Sequence, residues 1–269
     1  MFQTMKDALR SSMLAQRAYR RFIRPRLLQD EPETYILKNM KFDQCLDVGA
    51  HAGTYSVLLS RNCSRVYAFE PAPHVFHILQ NLNVRNVVAY NVALGNENGE
   101  AEMSFPFVDG KIDQALATLR PLSTGDFDGI ERCKIKLVRF DDFAAKTGCD
   151  YERIEFVKID VEGFEMQTLL GMSRLLHAKK PDLMIEIEQR HNPNYGEIFD
   201  YLRALQYQPF VTADGIALRR LDVAELPKLQ TNDKLLRDEG RSFRRGEHKN
   251  YINNIFFLQS DRQSHYQVI

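Results

Sequence analysis

From Cys45 to Gly95 the chain alternates strand-like and helix-like segments, and that alternation leaves few folds open to it. "CLDVGA" is an apolar run of strand length, and "TYSVLLSRN" has helical spacing. "VYAFEP" is a second strand, "PHVFHILQNLNV" a second helix and "NVVAYNVALG" a third strand. Strands joined through helices pair in parallel, because each crossover returns the chain to the same end of the sheet. A parallel sheet is covered on both faces, so its strands are continuously apolar. The expected class is α/β, a doubly wound and mostly parallel sheet.

"GEAEMSFPF" alternates and adds a hairpin beside that sheet. Residues 106–135 mix Gly, Pro and Asp with little periodicity, and the expectation there is a long loop capping the mouth. "IEFVKIDVEG" then supplies a fourth strand, "FEMQTLLGMSRLLHAKK" one helix, "DLMIEIE" a fifth strand and "EIFDYLRALQ" another helix. "PFVTADGIALRR" reads as a hairpin turning at Asp214-Gly215, residues 222–250 are highly charged, and "NNIFFLQ" is a late strand.

Residues 1–40 read as an N-terminal helical extension, with Arg10, Arg17, Arg20, Arg21, Arg24 and Arg26 set among Met5, Leu9, Met13, Leu14, Phe22 and Ile23. A helix laid on the domain with its charged face in water is favoured over peripheral contact with an anionic membrane. Residues 41–269 are expected to form one domain: a 269-residue chain that is 44% hydrophobic buries one substantial core and does not clearly suffice for two. Lys plus Arg number 36 and Asp plus Glu 36, so no net charge draws the chain to nucleic acid. Cys45, Cys63, Cys133 and Cys149 lack CxxC spacing and suit reduced thiols better than a disulfide framework or a zinc site. No apolar run approaches the roughly 18–20 residues of a membrane span, and no signal-peptide core opens the chain, so a cytoplasmic protein is expected.

The turn after the first strand, Asp47-Val48-Gly49-Ala50-His51-Ala52-Gly53, carries the first chemical signal. A dinucleotide fold uses G-x-G-x-x-G so that backbone amides approach a pyrophosphate. Only Gly49 and Gly53 are present here, which suits a nucleoside ligand without phosphates. Asp47 places an anion where a ligand ammonium can sit, and S-adenosylmethionine carries such an ammonium. Glu70 ends the second strand, where an acid accepts hydrogen bonds from both ribose hydroxyls, and Pro71 terminates that strand. Ala93 and Leu94, at the end of the third strand, are placed against the adenine, although Val92 and Leu94 are equally suited to plain core.

Together "CLDVGAHAGTYSVLLSR", "VYAFEPAPHVFHIL", "VVAYNVALGNENGEAEM", "FVKIDVEGFEMQTLLGM" and "PDLMIEIE" resemble the FkbM-type methyltransferases, of the class I S-adenosylmethionine-dependent group. The resemblance spans about residues 42–190, with "NNIFFL" as a final strand. It implies a seven-stranded sheet with an antiparallel last strand, bound S-adenosylmethionine, and O-methylation of a sugar, glycan or related small molecule. By position, Asp47, Gly49, Gly53 and Glu70 match the cofactor motif, and His51 stands where the family often has Asn. His51, Tyr55, Pro71 and Asp160 complete the expected cofactor contacts.

A sugar hydroxyl is a weak acid, so methyl transfer to it benefits from a base or a cation near the developing alkoxide. Asp160, at the end of the fourth strand, is the leading candidate, with His191 and Glu188 beside it. Glu186 and Glu188 are expected on the fifth strand with one orientation; the purely structural reading of Glu162 is pairing with Lys158 or a first-turn interaction with the helix dipole, and that of Glu165 a solvated helix carboxylate. Oxygen ligands from adjacent strand ends suit Mg²⁺, but no spacing forms a metal motif, so the metal set stays open. Two other classes compete: an NAD(P)-dependent oxidoreductase, which the missing third glycine argues against, and a noncatalytic binding module on the same fold. The acceptor and the oligomeric state are not legible in the sequence.

Overall fold

The computed structural model describes residues 31–108, 110–112, 117–119, 122, 127–212, 215–230 and 251–269. The basic stretch from Arg10 to Arg26, Asp214 and most of the charged segment before Tyr251 lie outside these.

A short helix, α1 (Glu33–Asn39), leads into β1 (Phe42–Val48) and α2 (Thr54–Leu59). Then come β2 (Cys63–Phe69), α3 (Pro73–Gln80) and β3 (Val87–Tyr90). The second half of the core follows α4 (Phe140–Thr147) and is built from β8 (Ile154–Ile159), α5 (Glu165–Gly171), α6 (Ser173–Ala178) and β9 (Asp182–Glu186). It closes with α7 (Gly196–Ala204), β10 (Gln208–Val211), β11 (Arg219–Arg220) and β12 (Asn254–Leu258). Among the described residues these strands form an eight-stranded sheet in the order β3-β2-β1-β8-β9-β12-β10-β11. Strands β3 to β9 pair in parallel, and β12 runs antiparallel to both neighbours. The order matches the expected seven strands with an antiparallel last one, plus β11, a two-residue edge strand paired with β10.

Side-chain alternation sorts the core into two layers. Val157 and Ile159 of β8 join Leu46, Val48, Ile185 and Phe257 under α5, α6 and α7, while Phe156 joins Cys45, Met184 and Phe256 under α1 and α2. Ile36 and Leu37 of α1 belong to that second layer.

Three sequence expectations are corrected. The segment read as one third strand is two: β3 stops at Tyr90, and β4 (Ala93–Leu94) joins a separate four-stranded sheet in the order β4-β7-β5-β6. The expected loop at 106–135 is strand at both its ends, because β5 (Gly99–Val108) pairs antiparallel with β7 (Gly129–Val138), with β6 (Lys111–Ile112) hairpinned to β5. The period-two signal was present: Ile135 and Leu137 are buried, while Arg132, Lys134 and Lys136 face solvent opposite Ser104, Glu102 and Glu100. The single helix at 164–180 breaks at Met172 into α5 and α6, next to a place where the backbones of Gly171 and Gly95 meet. A β-carbon on Gly171 would lie 1.9 Å from the Gly95 carbonyl oxygen.

The small sheet turns its apolar face, including Met103, Phe105, Ile135 and Leu137, onto Ala72 and Val75 of the β2–α3 region. It thereby stands beside the carboxyl ends of the main strands, and Thr118 donates to the backbone oxygen of Glu162 at 2.7 Å.

Candidate active site at the strand ends

The chain runs outward from β1 through β2 to β3, then returns to place β8 on the other side of β1. Strand order therefore reverses between β1 and β8, and in open α/β sheets ligands settle outside the carboxyl ends at such a point. Here the two backbones nearly touch. Gly49 has φ +76, and a β-carbon on it would lie 1.7 Å from the Asp160 carbonyl oxygen. Any other residue would be excluded both by its backbone conformation and by the space available. Gly53, with φ 75, precedes α2, and the amides of Gly49 and Ala50 both donate to Phe69 O, binding the turn to β2.

The turn aims its chemistry at Glu70. His51, itself at φ 48, donates its backbone N–H to Glu70 Oε2 at 2.8 Å, and Ala72 N donates to Oε1 at 2.8 Å. Glu70 is 5% exposed, and burial pushes its pKa up to about 7 against the opposing pull of the two hydrogen bonds, with the nearby Asp160 and Asp47 charges adding to the rise. Asn91 Nδ2 donates to the backbone oxygens of Glu70 and Pro71, which fixes the end of β2.

Beneath α1 and α2 the sheet face changes from apolar to polar as the strands end. Asp47 lies level with Lys158, and one step further Glu186 lies level with Asn254. Asp47 is buried and accepts from Ser56 Oγ at 2.5 Å. Lys158, 2% exposed, donates to Asp160 Oδ2 at 2.8 Å and sits over the Tyr55 ring, 4.5 Å from its centroid. A cation removed from water this fully needs compensating charge. Burial alone would lower the Lys158 pKa, and Asp160, Asp47 and Glu186 reverse that and raise it. Burial also works against ionised Asp160, but Lys158 and a hydrogen bond with Glu186 hold its carboxyl below the usual range. Glu186 moves the opposite way: burial and its acidic neighbours raise it well above normal, so the pair shares one proton. Lys158 therefore pairs with Asp160 and not with Glu162, as the sequence had suggested.

A second group forms where β9 ends. The strand stops at Glu186, so Glu188 lies past it and not on it, buried, and hydrogen-bonded to Arg190 Nε. His191 Nδ1 contacts Glu162 and lies 3.7 Å from Glu188. Burial raises Glu162, against the pull of His191. Asn253 Nδ2 donates to Glu186 and, at 3.3 Å, to Glu188, which joins the two groups. Glu165, expected in solvent, is 2% exposed: it accepts from Gly163 N at 2.7 Å and Asn192 Nδ2 at 2.9 Å.

The structure thus brings together Asp47, Gly49, His51, Gly53, Tyr55, Glu70 and Asp160, with His191 and Glu188 alongside. Ala93 and Leu94 are buried in separate apolar clusters. Sequence reading passed over Glu33, Asn253 and Asn254, and gave Lys158 no role of its own. Lys158 had a signal, a charge inside the apolar run "FVKI", and Glu33 had none. Among the described residues no group of three or more His, Cys, Asp or Glu side chains converges on a metal position. No described helix is long and apolar enough to cross a membrane.

The Methyltransferase FkbM domain matches residues 47–209, which takes in the Gly49 turn, Glu70, Asp160 and His191. The chain belongs to the FkbM methyltransferase family. It is 27% identical over 176 residues to methyltransferase sdnD of Sordaria araneosa, covering 51% of this chain and 68% of that one. It is 26% identical over 167 residues to methyltransferase 1 of Beauveria bassiana (strain ARSEF 2860), covering 51% and 66%. The crystal structure of methyltransferase FkbM from Methylobacillus flagellatus KT aligns at 17% identity and a TM-score of 0.47, over 96% of this chain and 58% of that one. The strand order and the Gly49–Asp160 approach give this FkbM-family chain its α/β class directly.

Proposed function

We propose that this FkbM-family protein transfers a methyl group from S-adenosylmethionine to a hydroxyl of a sugar, glycan or related small molecule. The observation that carries the reading is the crowded turn at Gly49, which points the His51 amide at Glu70 beside the strand-order reversal. The residues present fit the cofactor. Glu70 would hold the ribose hydroxyls, and the buried Asp47 and the half-buried Asp160 would face its ammonium; Gly49, Gly53 and Tyr55 would line it. Pro71, just past β2, would flank the adenine. When bound, S-adenosylmethionine supplies an electrophilic methyl group.

The chain's own part is to orient the acceptor and receive its proton. Asp160 is ionised but neutralised by Lys158, which makes it a weak base and a strong orienting charge. His191 suits proton transfer better: Glu162 holds its Nδ1 and Glu188 lies nearby, so the imidazole is oriented at the strand ends. The small sheet, tied to Glu162 through Thr118, would keep water from the acceptor side. Cys45, Cys63, Cys133 and Cys149 are free thiols, which supports a reducing, cytoplasmic setting.

The test is calorimetric titration with S-adenosylmethionine and with NAD, followed by transfer of isotopically labelled methyl to a panel of glycans and hydroxylated small molecules. Binding of the first ligand and label on an acceptor oxygen are expected. Binding of NAD alone would assign the chain to the oxidoreductase class, and cofactor binding without transfer to any acceptor would favour the binding module.

A further inference from the structure

Two side chains from outside residues 47–209 reach into the polar mouth: Glu33 on α1 and Asn254 at the start of β12. Glu33 is 5% exposed. It accepts from Asn254 Nδ2, and the Tyr55 hydroxyl lies 3.2 Å from its Oε1. The same hydroxyl donates to Glu31. A phenol has one proton, so contact with two carboxyls is satisfied when one of them keeps its own. Burial, and next the charge of Glu31, push Glu33 up to about 7.

From Glu33 two routes lead to the same place. The first passes through Tyr55, whose ring carries the Lys158 ammonium, to the 2.8 Å contact between Lys158 and Asp160. The second follows β12, where Asn254 stands opposite Glu186 in register and Asn253 donates to Glu186. Both end on the carboxyl pair Asp160–Glu186.

We propose that Glu33 is a positioning residue of the methyl-transfer site, supplied by the N-terminal helix, which holds Tyr55 over Lys158 and so fixes the Asp160 carboxylate. The proposal rests on the S-adenosylmethionine reading above. The charged and titratable groups facing the network are Glu31 before α1, Tyr55 on α2, Asp47 on β1, Lys158 and Asp160 along β8, and Glu186 on β9. Ionisation of Glu33 adds a negative charge at the mouth, so a cationic ligand binds more tightly as the pH rises.

The experiment is calorimetric titration of S-adenosylmethionine into the full chain from pH 6 to pH 8.5, comparing wild type, Glu33→Gln and Tyr55→Phe. All three retain Glu70, so the difference between profiles isolates Glu33. The wild-type rise in affinity should exceed that of Glu33→Gln by about five-fold, the effect of one charge in a partly screened site. Tyr55→Phe keeps the ring and cuts the link, and should lose at least half of that excess. S-adenosylhomocysteine, without the sulfonium charge, should show a smaller excess. Coincident profiles for wild type and both folded variants would overturn the proposal. If Glu33→Gln does not fold, Tyr55→Phe decides alone. A wild type that binds no S-adenosylmethionine at any pH would overturn the cofactor reading itself, a result distinct from coincident profiles.

Discussion

The carbonyl oxygen of Asp160 occupies the space that a side chain on Gly49 would need, 1.7 Å from the position of its β-carbon. Two strands that are distant in sequence thus pack backbone on backbone at the point where the strand order reverses. The turn that approaches the ligand and the strand that carries Asp160 are fixed by one contact.

Gly49→Ala should therefore damage both stability and binding. A left-handed alanine costs about 1–2 kcal/mol, and relieving the clash adds to this, for a total of about 3 kcal/mol or more. Urea unfolding measures the first effect and calorimetry with S-adenosylmethionine the second. A variant of wild-type stability would show that β8 moves freely away from the turn.

Glu70 and Glu33 give the apo protein a defined pH dependence. Both are raised in the folded state, from 4.5 to about 7. The folded chain then binds more protons than the unfolded one between those values, so their contribution is fully present below about 4.5 and lost as pH rises through about 7. The melting temperature should fall from pH 5 toward pH 8, and Glu70→Gln should flatten part of that slope. Glu70→Ala should also weaken S-adenosylmethionine by about 2 kcal/mol, the loss of a charge-assisted pair of hydrogen bonds.

Lys158 neutralises buried anions, so Lys158→Met should destabilise the fold at pH 8 by about 3 kcal/mol. Adding Asp160→Asn removes the anion left without its partner and should recover part of that loss. Denaturant unfolding of the two single variants and the double variant gives the coupling. Purely additive losses would mean that Lys158 serves Asp47 and Glu186 more than Asp160.

His191→Ala should lower turnover by about 10²–10⁴-fold, with little change in cofactor affinity. Asp160→Asn should weaken ligand binding as well, because it removes an orienting charge. The opposite pattern, with turnover lost only in Asp160→Asn, would make Asp160 the base. EDTA should leave turnover unchanged; inhibition reversed by Mg²⁺ would instead assign the carboxylates as ligands.

Most of the main sheet was legible in the sequence, because parallel strands buried on both faces must be continuous apolar runs, as "CLDVGA", "VYAFE" and "FVKI" are. The second sheet was legible only in part: "GEAEMSFPF" alternates and forms β5, but its pairing with β7 across the expected loop was not readable. β5 and β7 are one-face strands in a stretch rich in turn residues, and their period-two pattern gains meaning only once the two pair. The Gly49, Glu70 and Asp160 positions were readable for a local reason, since each follows directly from the end of an apolar run.

Partnership was decided elsewhere. Nothing in "FVKID" says that Lys158 meets Asp160 and the Tyr55 ring, and nothing in "EPETYILKN" says that Glu33 is buried against Asn254. The sequence by itself determined which strands exist and where the chain turns, because those follow from local pattern and backbone sterics. Only the tertiary structure decided which charges are buried together, because burial and Coulomb pairing depend on strand order and on distances between residues far apart in the chain.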